Sequence, residues 1–253
     1  MKQATVQTVY EWVDRLAPFE TAMEWDNVGL LLGARERPVD TVLTALDLTP
    51  GVIEEAVGLG AQVVVTHHPM LAPLRRLDEA EPQAALLCAA VRAGISWIAA
   101  HTNLDMAEGG VNDALAERLG WQVTETDGFL RVGDFEAPRA LEAVREEVER
   151  ALGWPVWRFG PAGAKVRRFA LCSGSGGSEV QSALRHGAQL FLTGEVRHDA
   201  ALQAVSQGLQ VLAAGHGATE KCAANALQKH LQSCADAVQS KVRVFVSRTN
   251  PFA

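Results

Sequence analysis

Gly60-Ala-Gln-Val-Val-Val-Thr66, running directly into His67-His68-Pro69, is the stretch from which the fold can be read. Val63 to Val65 form an apolar run of strand length with turn residues on either side. A buried strand that ends in adjacent imidazoles sets two nitrogen ligands at the rim of a sheet, and imidazole is the commonest protein metal ligand. The segment occurs a second time. Gly187-Ala-Gln-Leu-Phe-Leu-Thr193 aligns with it without a gap, and Gly194-Glu195 falls opposite His67-His68.

The repeat extends on both sides. Upstream of the first copy, Val42-Leu-Thr-Ala-Leu46 reads as a strand and Pro50 to Leu59 as a helix. Upstream of the second, Phe169-Ala-Leu-Cys172 reads as a strand and Glu179 to Arg185 as a helix, with Ser173-Gly-Ser-Gly-Gly177 turning between them. Downstream, Gly94-Ile-Ser-Trp-Ile-Ala-Ala100 leads into His101-Thr-Asn-Leu-Asp105 and a helix from about Gly110 to Leu119. Gly208-Leu-Gln-Val-Leu-Ala-Ala214 leads into Gly215-His216-Gly-Ala-Thr-Glu220 and a helix from about Glu220 to Leu231. Strand-helix-strand alternation requires crossovers and hence largely parallel pairing. The reading is therefore α/β: two related lobes with mostly parallel sheets from a degenerate internal repeat, and a metal site between them. The expected division is residues 1–127 and 128–253, with the last strand, Val242-Arg-Val-Phe-Val246, free to return to the first lobe. Gly128 to Lys165 breaks the repeat. Within it Leu141, Val144, Val148 and Leu152 mark a core-facing amphipathic helix over 141–152.

Right-handed crossovers bring strand carboxyl ends to one sheet edge, where sites form in such folds. The ligand-type residues that come after these strands are His67, His68, Asp105, His216 and Glu220. Together they have the composition of a mixed nitrogen and oxygen metal site, suited to zinc, manganese or iron(II). His186, His198 and His230 each stand alone and read as ordinary polar residues. Asp26 and Asn27 read as caps of the next element. The Ser/Gly segment reads as turn geometry, since it lacks the lysine and spacing of a phosphate loop. Arg75 and Arg76 read as solvated charges.

Bulk properties narrow the classes. The 253 residues suffice for one large or two small domains, and 48% hydrophobic with 21% charged content is that of an ordinary globular protein. No apolar stretch reaches the roughly 18 residues that span a bilayer. Met1-Lys-Gln-Ala-Thr-Val6 has no signal-peptide core. The cysteines Cys88, Cys172, Cys222 and Cys234 are scattered and form no C-x-x-C pair, which points to the cytoplasm rather than to a disulfide framework. A net charge of −7 argues against a generally basic nucleic-acid surface.

In this order and spacing the motifs resemble those of the dinuclear metal-centre hexameric proteins, the type 2 GTP cyclohydrolase I homologues. The resemblance rests on Glu24-Trp-Asp-Asn-Val-Gly-Leu30 with Gly33, Thr66-His-His-Pro69, Ala100-His-Thr-Asn-Leu-Asp105, Gly109-Gly-Val-Asn-Asp113, Cys172-Ser-Gly-Ser-Gly-Gly177, Thr193-Gly-Glu195, Gly215-His216, Thr219-Glu220 and Asn250-Pro251. It covers nearly the whole chain. It implies two lobes per subunit, two divalent metal ions held by the five residues above, and a homohexameric ring built as a trimer of dimers. Longer members carry an additional central domain, for which this chain is too short. His198 is followed by Asp199 where the family often has a second histidine, and Gly217 stands where it often has an aromatic residue.

Five protein ligands leave open positions on two octahedral ions for water or substrate. Asp105 or Glu220 is the candidate bridge, and paired ions roughly 3.5–4 Å apart are a recurring hydrolytic arrangement. His101 reads as an acid/base or ligand-orienting residue, and Glu195 as a residue that orients a histidine or accepts a proton. Two function classes remain. One is a metal-dependent hydrolase, for which the family name implies GTP ring opening with release of formate. The other is a metal-binding or regulatory protein without turnover, with nucleic acid as one partner class.

Overall fold

Each position of the seven-residue repeat has a structural reason in the computed structural model, which describes residues 3–70 and 76–249. Gly60 and Gly187 adopt left-handed φ values of +64° and +69° and end the preceding helices. The next residue closes each helix end, Ala61 N–H donating to Ala56 and Ala188 N–H to Ala183. The glutamine then reaches back. Gln62 Oε1 accepts from Asp40 and Thr41 N–H, and Gln189 Oε1 from Arg167 and Arg168 N–H. Three buried apolar residues come next. The closing threonine donates its hydroxyl to the carbonyl two residues on, Thr66 to His68 at 2.7 Å and Thr193 to Glu195 at 3.5 Å. The two copies are thus one device used twice, and each shapes the backbone of a candidate site.

In chain order the elements are α1 (Val6–Leu16), β1 (Gly29–Leu32), β2 (Thr41–Ala45), α2 (Pro50–Leu59), β3 (Val63–Thr66), α3 (Pro82–Arg92), β4 (Ser96–Ala99), α4 (Thr102–Met106), α5 (Val111–Leu119), β5 (Val123–Asp127), β6 (Leu130–Ala140), α6 (Leu141–Leu152), β7 (Trp157–Phe159), β8 (Lys165–Cys172), α7 (Val180–Arg185), β9 (Leu190–Thr193), α8 (His198–Ser206), β10 (Gln210–Ala213), α9 (His216–Glu220), α10 (Cys222–Ala237) and β11 (Arg243–Val246). They form two compact units, Met1–Glu108 with Ala223–Ala253, and Gly109–Cys222.

The first unit holds a sheet of order β1-β4-β3-β2-β11. Its β4, β3, β2 and β11 run parallel, and β1 joins antiparallel. Leu43, Val64 and Trp97 of the sheet pack with Val52, Ile53 and Ala56 of α2 and with Leu87 and Ala90 of α3. The second unit holds a sheet of order β5-β6-β8-β9-β10-β7. Its parallel core is β8-β9-β10, and β6 and β7 flank that core antiparallel. The segment that breaks the repeat supplies β6, α6 and β7. Leu141, Val144 and Val148 of α6 are buried as the helical spacing predicts.

The division differs from the expected 127/128. The chain leaves the first unit after Glu108 and returns to it at Ala223. Helix α5 packs against α6 and β6, and β5 is hydrogen-bonded to β6, so both belong to the second unit. Helix α10 returns to the first unit, where His230 Nε2 donates to Trp12 O at 2.9 Å and Ala224 O accepts from Thr44 Oγ1 at 2.8 Å. Strand β11 returns with it and pairs with β2. Among the described residues no helix is long and apolar enough to cross a membrane. Arg75 and the Asn250-Pro251 motif lie outside the described residues.

Candidate metal centre

In the first unit the candidate ligand residues stand where parallel strands end. Thr66 of β3 registers with Ala99 of β4, so the loops beyond them lie side by side. His67 and His68 continue the ladder with β2, their N–H groups donating to Ala45 and Leu46 carbonyls at 3.2 and 2.9 Å. Trp97 Nε1 donates to Thr66 Oγ1 at 2.8 Å, and Thr66 in turn holds the His68 carbonyl. The His67, His68 and His101 rings form a triangle with centroids 5.0 to 5.7 Å apart.

The second nitrogen of each ring settles what that triangle offers. His67 Nδ1 donates to Ala100 O at 3.0 Å, His68 Nδ1 to Asp47 Oδ1 at 2.7 Å, and His101 Nδ1 to the Asp26 carboxylate at 3.0 and 3.1 Å. A carbonyl or carboxylate oxygen can only accept here, so Nδ1 carries the proton in all three rings and a neutral ring bears its lone pair on Nε2. One ligand nitrogen from each histidine lies within 4.8 Å of the other two. Converging imidazoles whose outer N–H groups are held by oxygen acceptors are what metal-binding histidines require. Asp105, one helical turn past His101 on α4, places Oδ1 3.6 Å from His67 Nε2. The donor set therefore fits a divalent transition metal.

Asp26 reaches α4 and not the element that follows it in sequence. Its carboxylate accepts from Thr102 N–H at 3.0 Å and Thr102 Oγ1 at 2.5 Å as well as from His101, so it caps α4 and orients the imidazole together. Burial would push its carboxyl up, but the hydrogen bonds from His101 and Thr102 outweigh it and hold the pKa at about 2, against an ordinary 3.8. A depressed carboxyl stabilises the fold above its unfolded pKa, and that contribution is lost as pH falls through the folded value. Asp26→Asn is expected to lower the stability of metal-free protein by ~2 kcal/mol at neutral pH. It should also flatten the loss of stability between about pH 4 and pH 2. Urea titrations across that window check it, and an unchanged acid limb refutes it.

In the second unit Thr193 of β9 registers with Ala213 of β10, and Glu195 and His216 come just after those strands. His216 and Glu220 are four apart on α9 and share a face, with Nε2 and Oε2 3.0 Å apart. Glu195 Oε2 accepts from His216 Nδ1 at 3.3 Å. The hydrogen bond to Glu220 raises the His216 pKa above 6.5, burial opposes the rise, and Glu195 adds to it. The Ser/Gly turn acquires a purpose. Gly174, at φ +59°, lies so close to Glu220 that an added Cβ would collide with Oε1 and come within 3.4 Å of His216 Nε2. A Cβ on Gly194 would fall 2.7 Å from Thr219 Oγ1 and 2.9 Å from His216 Cα. Both glycines keep the cradle of the histidine-glutamate pair open.

Four contributors escaped the sequence reading: Asp47, Trp97, Trp154 and the orienting role of Asp26. Asp47 lies just beyond β2 on the same edge as the other site residues, so the edge rule applied to that strand would have found it. Trp154 lies against Gly215, where a Cβ would fall 2.5 Å from the indole Nε1. It sets an aromatic ring against the residue before His216, although Gly217 supplies none. His198 is exposed at the start of α8, and Arg76 is exposed.

The family model for Duf34/NIF3 (NGG1p interacting factor 3) matches residues 4–251. The chain belongs to the Duf34/NIF3 family. A Campylobacter jejuni protein named GTP cyclohydrolase 1 type 2 homolog is 31% identical over 247 residues, which cover 96% of this chain and 97% of that protein. NGG1-interacting factor 3 of Saccharomyces cerevisiae is 32% identical over 229 residues, 78% of this chain and 79% of that one. The crystal structure of a Bacillus cereus protein related to NIF3 superposes with a TM-score of 0.93 at 25% identity, covering 100% of this chain and 99% of that chain. The Duf34/NIF3 assignment agrees with the two α/β units and the repeated edge motifs described above.

Proposed function

We propose that this Duf34/NIF3 protein holds two divalent cations through His67, His68, Asp105, His216 and Glu220 and acts as a hydrolase on a nucleotide of the GTP class. The observation that carries the reading is the trio of imidazoles whose Nδ1 protons are all engaged by oxygen acceptors. Bound divalent ions would supply Lewis acidity and lower the pKa of water, which is what hydrolysis near neutral pH needs. The side chains have separate roles. Asp47 and the Ala100 carbonyl keep His68 and His67 in the ligating tautomer, and Glu195 does the same for His216. His101, backed by Asp26, gives or takes a proton at a purine ring nitrogen. The resemblance assigns both ligand sets to one dinuclear centre in a hexameric ring, and the scattered cysteines fit the cytoplasm.

Elemental analysis of purified protein, then formate release from GTP with metal-loaded and chelated protein, tests this. Metal-dependent formate release is expected. Equal rates in both samples would remove the hydrolase reading. The yeast relative's name, which records an interaction, then favours the second reading of a metal-binding protein that acts through a partner.

A further inference from the structure

Trp25 is 62% exposed, yet the chain on either side of it is tied down. Met23 N–H donates to Thr102 Oγ1 at 3.0 Å, Asp26 engages His101 and Thr102, and Asn27 Nδ2 donates to Met70 O at 2.9 Å. The indole is thereby held edge to face against His101, ring centroids 6.1 Å apart and planes at 76°. A single exposed apolar side chain is ordinary. One pinned on both sides beside three converging imidazoles is not explained by the core, to which it adds little. Its neighbours narrow the ligand. Met23 and Glu24 are exposed. No cation stands in residues 23–27 to meet a phosphate, and Glu24 would repel one.

We propose that Trp25 is the ring-stacking residue of this site and that its ligand is a flat heteroaromatic compound, selected by its ring rather than by its phosphates. The proposal rests on reading His67, His68 and His101 as part of a metal site. Stacking suits the position because an indole accepts any π-face while the polar edge of the ring stays available to the imidazoles. The second unit also sets an indole against the residue that precedes a candidate ligand histidine. Trp154 is 49% exposed and lies on Gly215, next to His216.

The test measures binding of GTP, ATP, a pterin and inorganic tripolyphosphate to the metal-loaded full chain, with metal content recorded for every variant. Trp25→Ala should weaken binding of the ring compounds about 5- to 150-fold, the range that base-aromatic stacking provides. Trp25→Phe should stay near wild type, tripolyphosphate binding should not change, and metal content should be the same throughout. Quenching of wild-type tryptophan emission by GTP should shrink in Trp25→Phe. Unchanged ring affinity in Trp25→Ala with metal intact overturns the proposal. So does a wild type that binds no ring compound, or a Trp25→Ala protein that only changes oligomeric state. A wild type that takes up no metal but binds rings through Trp25 would sink the metal reading and leave this one standing.

Discussion

His67→Ala and Glu220→Ala proteins are each expected to lose metal, with affinity down by more than about 100-fold. Changing a residue that merely orients a ligand already costs 10- to 100-fold, and these two are the proposed ligands themselves. They make a matched pair because they lie in different units and are both buried, His67 with no exposed surface. Removal of either leaves polar neighbours facing a vacated space, so circular dichroism must first establish that each variant folds. If both sets serve one dinuclear centre, either substitution alone lowers the number of ions bound per chain. Full occupancy in either variant defeats the assignment. Acid should also release metal early. His216 lies between two carboxylates that raise its pKa, and the first of them, Glu220, is the ligand proposed beside it. A proton on His216 competes with the ion, so occupancy should start to fall at a higher pH than an isolated imidazole would predict.

Much of this arrangement is legible in the sequence alone. The repeated Gly-Ala-Gln-x-x-x-Thr segment predicts two copies of one unit because each of its positions has a local role. The glycine makes the left-handed turn, the alanine closes the helix, and the glutamine bridges to the neighbouring strand. The apolar trio forms the buried ladder, and the threonine clamps the carbonyl beyond it. Such roles leave a pattern in sequence. The histidines and carboxylates after β3, β4, β9 and β10 accord with the edge rule for parallel strands. The hidden part is non-local. Asp26 reaches His101 across 75 positions, and Asp47 reaches His68 across 21. Neither partner lies within the spacing of a helix turn or a strand, so neither carries a periodic signal. The division between units was misplaced for a related reason. Helix α5 and strand β5 resemble continuations of the first repeat, and only their packing on α6 and β6 shows where they belong. The return of α10 depends on single contacts such as His230 to Trp12, which no local pattern announces.

His101→Ala is expected to lower kcat for nucleotide ring opening by roughly 10²- to 10⁴-fold while the metal stays bound. The reason begins with the proton on Nδ1, which the Asp26 carboxylate holds. Asp26, with a pKa of about 2, stays ionised throughout any assay near neutrality. It therefore fixes the tautomer and the orientation of the imidazole. In the proposed reaction Nε2 is left to exchange protons with the substrate. His101 also has a ligand nitrogen within 4.8 Å of those of His67 and His68, so geometry alone would let it bind metal. The two roles separate cleanly in the variant. A proton-transfer residue takes kcat with it and leaves the metal count unchanged, and the pH-rate profile loses one limb. A ligand takes the metal, and added ion restores part of the rate. Asp26→Asn then provides a second, independent check of the same assignment. The ring would lose its ionised partner but keep its place, so kcat should fall less than in His101→Ala, with the metal count again unchanged. A His101→Ala protein that loses metal in step with activity would move His101 into the ligand set and leave the proton donor to be sought elsewhere.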